Sequence, residues 1–294
     1  MLAFSDGDGG YSEVMVDSSP QILRLEEDYS ERSLLPADPV VGFLDHLIED
    51  YGDEWVTKMM YHYRWHHLYG DAIAKAGNML PLMSDNQMSP EQHGEIKDFI
   101  TSRQMNRTAL VGSTDNNRDV IETSFVRLLT TLETHLTENQ FLLGNRPGRG
   151  DFGLFGQFSQ LFFWEPDSSL IAARRSPRSV IWAYQLDDLS SLEVSENEGW
   201  FTRNNLPESS LSLLTEIGRT YAPFLMANEQ AIAAGDPELS CLIEGHEYKQ
   251  ATFAYQNKCL SWIREAFREL STDNQQAVKQ ILSGTGCEVL IADA

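Results

Sequence analysis

The chain is poor in cysteine, poor in basic residues and without a long apolar run. Its 294 residues include three cysteines, Cys241, Cys259 and Cys287, whose odd number and wide spacing favour reduced thiols over a disulfide framework. Lys and Arg total 22 against 44 Asp and Glu, so the net charge is −22 and the basic footprint that nucleic acids and anionic membranes need is missing. No apolar stretch has the length of a membrane span or the pattern of a secretory signal. We therefore expect a cytoplasmic protein that binds neither nucleic acid nor membrane.

The start of the chain has the pattern of a hairpin, a helix and a linker. Alternating apolar residues and a turn-rich centre predict a two-stranded hairpin over residues 2–16. Capping residues and a proline then predict a helix over about Pro20–Tyr29. Two prolines within residues 34–39 predict a linker. We therefore expect an N-terminal unit over residues 1–38 and a helical unit over residues 39–294.

Beyond the linker, apolar residues recur at helical spacing, which predicts a helical bundle with buried faces. Pro223 predicts a bend or an interruption, the region 165–205 is expected to be rich in loops, and 251–255 is predicted as a short strand. The predicted helices run from Val40 through Tyr63, from Ser89 to about Thr108, from Val120 to Leu136, from Phe152 to Phe163, from Pro177 to Leu189, from Ser210 to Ala234, from Asn257 to Leu270 and from Ser271 to Leu282.

Two segments, in their order along the chain, resemble the glutathione S-transferase family. The first is Asp17-Ser18 at a helix start after a hairpin. The second is Leu143-Gly144, Pro147 and Asp151 leading into an almost wholly apolar helix. In that family a Ser or Thr caps this helix where the chain has Gly148, so half of the capping box is missing and a backbone N–H needs another partner. Asp151 is interpreted as structural, since a carboxylate in the first turn suits the helix dipole.

The resemblance implies a mostly α fold: a helical bundle like the transferase C-terminal domain, preceded by a partial thioredoxin-like unit of hairpin plus helix. The family's first β-α-β half, which carries its reactive residue, is absent from this sequence. We therefore expect either a truncated chain or a natural loss of that half, and we assign no catalytic residue. Because an isolated two-stranded hairpin is marginally stable, we expect this chain to express poorly or to associate, and the family implies a homodimer.

The resemblance also implies a ligand, glutathione, as co-substrate. Asp17 is expected to face the ammonium of its γ-glutamyl end, and Ser18 with the helix-start amides is expected to face the carboxylate. In the family the helix that contains Tyr61, Arg64 and Trp65 lines the electrophile pocket, so these three are candidate substrate contacts. The residues alone favour a core role for the aromatic side chains among them.

Three hypotheses for function stay open at this point. The first is a glutathione transferase that joins the glutathione thiolate to an electrophile. The second is a non-catalytic interaction module that keeps the scaffold, and the third is a truncated, inactive fragment. His62 and His66 have the spacing of a two-histidine metal site, but no third ligand lies beside them in sequence, so we expect no metal.

Overall fold

The computed structural model describes residues 2–29, 31–67, 73–195 and 198–292, and this part of the chain is mostly helical. A short antiparallel hairpin lies near the start of the chain and another near its end, with the helices between and after them. None of the helices described is both long enough and apolar enough to cross a membrane.

The N-terminal unit contains the predicted hairpin and helix. β1 (Leu2–Ser5) pairs antiparallel with β2 (Tyr11–Met15), and α1 (Ser18–Asp28) follows. α1 begins two residues before the predicted start, because the Asp17 carboxylate accepts the N–H of Ser19 and thereby caps the helix. The proline that suggested the later start lies in the first turn, where backbone N–H groups have no partner within the helix.

The helical unit begins at Pro39, as the linker predicted. Wider, π-helical turns at Gly52–Val56, Tyr63–His67 and Ile73–Gly77 continue or precede its α-helices. The α-helices are α2 (Pro39–Tyr51), α3 (Thr57–His62), α4 (Asn78–Ser84), α5 (Pro90–Met105), α6 (Thr108–Val111), α7 (Arg118–His135), α8 (Arg149–Phe163), α9 (Pro166–Arg175), α10 (Pro177–Asp187) and α11 (Glu208–Ala234).

Two features of this unit differ from the sequence-based expectations. The region after residue 165 is less rich in loops than predicted, because it forms α9 before the predicted α10. α11 is continuous through Pro223 and is not interrupted there. The flanking residues Tyr221, Ala222, Phe224 and Leu225 are all buried, so tertiary packing offsets the backbone hydrogen bond that proline removes.

The centre of the core is the close crossing of α2 and its π-helical extension over α8. Gly52 and Gly153 face each other at this crossing. A Cβ placed on Gly52 would lie 2.7 Å from the carbonyl carbon of Gly153, and one on Gly153 would lie 2.9 Å from the Glu49 carbonyl oxygen. Both positions therefore have no room for a side chain, and their glycines let the two helix backbones touch.

The start of α8 solves the capping problem predicted from its sequence. The buried Asp151 carboxylate accepts the N–H groups of Leu142 and Gly148, at 3.0 and 2.9 Å. The missing hydroxyl is replaced from another helix: Asp45 of α2, 1% exposed, accepts the N–H groups of Arg149 and Gly150 at 3.0 and 2.9 Å. A Cβ on Gly148 would lie 2.5 Å from Asp45 Oδ1, so Asp45 can occupy this place only because residue 148 has no side chain.

The end of the chain folds back onto the bundle. β3 (Glu238–Ile243) and β4 (His246–Ala251) form a hairpin, followed by α12 (Ala254–Glu269), α13 (Thr272–Leu282) and a 3-10 turn at Cys287–Ile291. The predicted strand at 251–255 was wrong, because β4 ends where that strand was placed.

The buried Lys58 of α3 ties this second hairpin to the bundle. Its ammonium donates to Gln250 Oε1 at 2.8 Å and to the Val111 carbonyl at 3.2 Å, and it lies 4.2 Å from the ring centroid of Phe224. Burial lowers the pKa of Lys58 to about 7, and the two hydrogen bonds keep its polar head satisfied inside the core. The hairpin is therefore an integral part of the bundle.

Candidate functional site

A cavity of about 320 Å³ lies between the start of α1, the end of α2 with its π-helical turn, and α12. We call it the acidic cavity, because five carboxylates line it against one arginine and one histidine; these charged or titratable side chains are Asp17, Glu49, Asp50, Asp53, Glu54, Arg149 and His46. Larger depressions elsewhere are grooves open to solvent. The acidic cavity is less open than these grooves, which makes it the best candidate for a ligand site.

Asp17 forms part of the wall of the acidic cavity, whereas Ser18 does not. Beyond its capping bond to Ser19, the Asp17 carboxylate accepts a hydrogen bond from the Tyr255 hydroxyl at 2.8 Å. Ser18 is exposed and does not line the cavity, whereas Ser19 and Pro20 do. Of the two predicted contacts, the structure therefore brings Asp17 to the cavity but not Ser18.

The π-helical turn after α2 brings further carboxylates to the cavity. A π-helical turn inserts an extra residue per turn and re-aims the side chains that follow, and such turns occur often at functional sites. Here the turn starts at Gly52 and presents Asp53 and Glu54 to the cavity beside Asp50. Sequence reasoning did not select these residues, since an Asp or Glu on a helix is ordinarily a solvated charge.

Two of these carboxylates, Asp50 and Glu54, each accept a hydrogen bond from a neutral side chain. The Tyr221 hydroxyl donates to Asp50 at 2.6 Å, and Gln256 Nε2 donates to Glu54 at 3.0 Å. The Asp53 carboxylate makes no hydrogen bond or ion pair with another side chain in the described part of the chain. Burial, reinforced by repulsion from the neighbouring carboxylates, raises the pKa of Asp53 to about 8.

Glu49 differs from its neighbours because it is almost fully buried and yet remains ionised. It is 2% exposed, and Arg149 Nη1 and His46 Nδ1 lie 3.2 and 3.6 Å from its Oε2. Burial alone would raise the pKa of Glu49, but His46 and Arg149, together with a hydrogen bond from the Ser19 side chain, outweigh it and lower the pKa. Glu49 lines the cavity, and the Ser19 side chain at the start of α1 lines it too.

The third wall comes from the end of the chain, which sequence reasoning did not connect with any site. Tyr255, Cys259 and Trp262 lie on one face of α12 and line the cavity. Their spacing of four and three residues on an amphipathic helix was the available signal. The Cys259 thiol is buried beside Asp50, and burial raises its pKa, so it is not an activated nucleophile.

The candidate substrate contacts Tyr61, Arg64 and Trp65 do not line the acidic cavity. The Tyr61 hydroxyl donates to the Gln104 carbonyl at 2.7 Å, and Trp65 is 3% exposed within a small separate cluster of apolar residues. Arg64 is buried, and its Nε donates to Glu165 Oε1 at 2.7 Å. All three side chains therefore make internal packing and hydrogen-bonding contacts, and the structure does not bring them to the cavity.

The paired histidines lie on one face of the helix, as their spacing indicated. The rings of His62 and His66 stack with centroids 5.3 Å apart. His62 Nε2 lies 3.1 Å from Glu122 and His66 Nε2 lies 3.1 Å from Asp115, so each ring faces its own carboxylate. In the ranges that the structure describes, no group of three or more His, Cys, Asp or Glu side chains is arranged to hold a metal ion.

The candidate site is thus a partly open, strongly acidic cavity whose walls also include apolar side chains. The start of α1 forms one side of it, and the end of the chain forms another. Comparison of this chain with protein-family models, with curated proteins and with solved structures gave no match.

Proposed function

We propose that the chain is a glutathione S-transferase-like protein whose ligand binds at the start of α1. One observation carries the proposal: the Asp17-capped helix start borders a partly open cavity between the N-terminal unit and the bundle. A helix start offers unpaired N–H groups and a positive dipole end to an anion, and Asp17 offers an anion to an ammonium. The γ-glutamyl end of glutathione carries both charges.

In this proposal the ammonium and the carboxylate of the γ-glutamyl end bind at different places around the helix start. The ammonium belongs on the cavity side, where Asp17 and the nearby carboxylates attract it. The carboxylate belongs outside the cavity, with the exposed Ser18 hydroxyl and the N–H groups of the first turn. Proposed activity is transfer of the glutathione sulfur to an electrophile. The carboxylates of the cavity disfavour a thiolate, so we place the sulfur outside it and assign no catalytic residue within the described part.

Titration of the whole chain with glutathione in a calorimeter tests the proposal. We expect one site, and we expect Asp17→Asn to weaken it about tenfold or more, because hydrogen bonds to charged groups contribute roughly 1.5–3 kcal/mol. Asp8→Asn in the β1–β2 turn removes the same charge from an exposed position and should leave binding unchanged. Absence of heat at millimolar glutathione, or equal weakening by both variants, would refute it.

A second candidate is an interaction module, because the N-terminal unit exposes large apolar side chains. Val16 and Tyr29 are 79% and 69% exposed, and Tyr11, Val14 and Leu23 are also about half exposed or more. Such an exposed apolar surface on a small hairpin indicates a site of contact with another protein chain, including a second copy of this one.

Sedimentation at increasing protein concentration tests this second candidate. We expect the mean mass to rise toward a dimer, and Val16→Glu to shift that rise to higher concentration. Ile181→Glu on α10 is the matched control, since Ile181 is 56% exposed outside the N-terminal unit. A monomer at all concentrations, or an equal effect of both variants, would remove the self-association hypothesis.

A further inference from the structure

A second, smaller cavity of about 150 Å³ lies where the N-terminal unit passes into the linker. We call it the linker cavity. Its walls come from three segments: Arg32 and Leu34 before the linker, Arg146 and Phe152 around the start of α8, and Leu192 after α10. It shares no lining residue with the acidic cavity, so its chemistry is considered separately.

Arg146 brings a buried positive charge to the linker cavity. Its side chain is part of a residue that is 3% exposed, and the guanidinium stacks 4.4 Å from the ring centroid of Trp200. Nε and Nη2 donate to the Ser33 carbonyl at 3.1 and 2.7 Å, and Nη1 donates to the Ser195 carbonyl. These partners are neutral, and in the described part of the chain no carboxylate forms an ion pair with Arg146.

The other buried arginines of the described part show what is unusual here. Arg64 Nε lies 2.7 Å from Glu165 Oε1, and Arg149 Nη1 lies 3.2 Å from Glu49 Oε2. Both of those carboxylates are themselves buried. A buried charge is ordinarily paired, because removing it from water without a counter-charge costs free energy. Arg146 departs from that rule in a chain with twice as many acidic as basic residues.

The surroundings of Arg146 add to this cost. Burial lowers the pKa of Arg146, and the neighbouring cation Arg32 lowers it further, because both disfavour the charged form. Glu26 acts in the opposite direction from a distance, but its Oε1 accepts the Leu34 N–H at 2.7 Å. Arg32 lines the same cavity, and its Nη2 donates to the Leu189 carbonyl at 3.2 Å. An anion that enters the cavity therefore gains from two guanidinium groups at once.

The remaining donors and the walls favour a planar organic anion. A guanidinium has five N–H donors, and the three bonds from Arg146 leave one on each Nη. Guanidinium groups pair with carboxylates through such parallel N–H donors. The side chains of Leu34, Phe152 and Leu192 give the cavity apolar surface. Its volume lies well below the roughly 300–1,000 Å³ of sites for drug-sized ligands, so the hydrocarbon part is short.

We propose that the linker cavity binds a small monocarboxylate, with its carboxylate on Arg146 and Arg32 and its short hydrocarbon chain against Leu34, Phe152 and Leu192. The site goes beyond the function proposed above and does not rest on it, because its cavity, its residues and its ligand are different. Since Arg32 precedes the linker and Phe152 belongs to α8, the bound carboxylate would also strengthen the contact between the N-terminal unit and the bundle.

Calorimetric titration of the full chain with butyrate, at low and constant chloride, tests the proposal. We expect one saturable site per chain, weakened about tenfold or more by Arg32→Gln, since charge-assisted hydrogen bonds are the strong ones. Arg32 is exposed, so this variant keeps the buried contacts of Arg146. Arg174→Gln, at an exposed position in the last turn of α9, removes the same charge and should leave the affinity unchanged. Arg146→Gln should abolish binding, with circular dichroism to check that it folds.

Matched ligands test the chemistry of the site. Butyramide has the shape of butyrate without its charge, and we expect it not to bind. Inorganic phosphate has charge without a hydrocarbon part, and we expect it to displace butyrate only weakly. An absence of saturable heat with butyrate, equal weakening by Arg32→Gln and Arg174→Gln, equal binding of butyramide, or full displacement by equimolar phosphate would each overturn the proposal. None of these results depends on whether glutathione binds.

Discussion

The replacement of a capping hydroxyl by Asp45 leads to a double-mutant prediction. Asp45→Ala leaves the buried N–H groups of Arg149 and Gly150 without an acceptor. Each unsatisfied group costs about 1–3 kcal/mol, and release of a carboxylate whose pKa burial raises to about 6 offsets part of that cost. We expect Asp45→Ala to lower the free energy of unfolding by about 2–4 kcal/mol.

Gly148→Ser should lower the free energy of unfolding when Asp45 is present, and it should raise that free energy in the Asp45→Ala variant. With Asp45 present, the new Cβ lies 2.5 Å from Oδ1, and such overpacking costs about 1–3 kcal/mol. With Asp45→Ala the space is free, and the serine hydroxyl can accept the N–H of Asp151 as an ordinary cap. The double variant should therefore be more stable than the sum of the single effects predicts, by about 1–2 kcal/mol.

Urea unfolding followed by circular dichroism measures all four corners of this cycle. Asp236→Ala, an exposed carboxylate beyond α11, serves as the control and should change the free energy of unfolding by less than about 0.5 kcal/mol. The reasoning fails if Gly148→Ser costs the same free energy with and without Asp45, because the carboxylate would then not occupy the place of the cap.

Two further predictions concern the same part of the molecule. Gly52→Ala should lower the free energy of unfolding by about 1–3 kcal/mol, because its Cβ would meet the Gly153 backbone. Gly94→Ala, whose Cβ would have no atom within 4 Å, should raise the free energy of unfolding by up to about 1 kcal/mol. Urea unfolding measures both, and changes of the same sign would contradict this prediction. Asp53, facing Glu49, Asp50, Glu54 and Asp17, has its pKa raised to about 8 by burial and then by their repulsion. Its folded state therefore holds the proton more tightly than the unfolded state, and the native protein should lose stability relative to Asp53→Asn as pH rises from about 4, the ordinary aspartate pKa, through about 8. Thermal melts at several pH values measure the difference, and parallel curves would contradict it.

Local rules predicted much of the chain, because capping residues and apolar spacing act within one element. The hairpin at the start, the linker before Pro39 and most of the long helices follow from such rules. The hairpin at 238–251 was not predicted, although its turn had a local signal, a glycine at position 245. In the structure Glu244 and Gly245 both have positive φ and join the two strands. The neighbouring residues were instead interpreted as the end of a helix and a single strand.

The candidate site could be predicted only in part, because its walls are distant in sequence. Asp17 was selected from its helix start, and it lies at the cavity. The carboxylates at Asp53 and Glu54 depend on a π-helical turn, for which single-sequence spacing gives no sign. The sequence predicted that the start of α8 needs a substitute for the capping hydroxyl. It could not predict that Asp45 is this substitute, because that depends on how α2 and α8 cross. Tertiary packing decides each of these placements.

The hydrogen bond from Tyr255 to Asp17 joins residues 238 positions apart. Asp17 caps the first helix, and Tyr255 lies in the first turn of α12, which forms one wall of the cavity. The cavity therefore depends on contact between two segments that are far apart in sequence. Proteolytic cleavage or local unfolding of the C-terminal helices would thus remove the Tyr255 contact to the start of α1 before the bundle core unfolds. Ligand affinity would report the docking of the tail, and loss of binding would precede loss of fold.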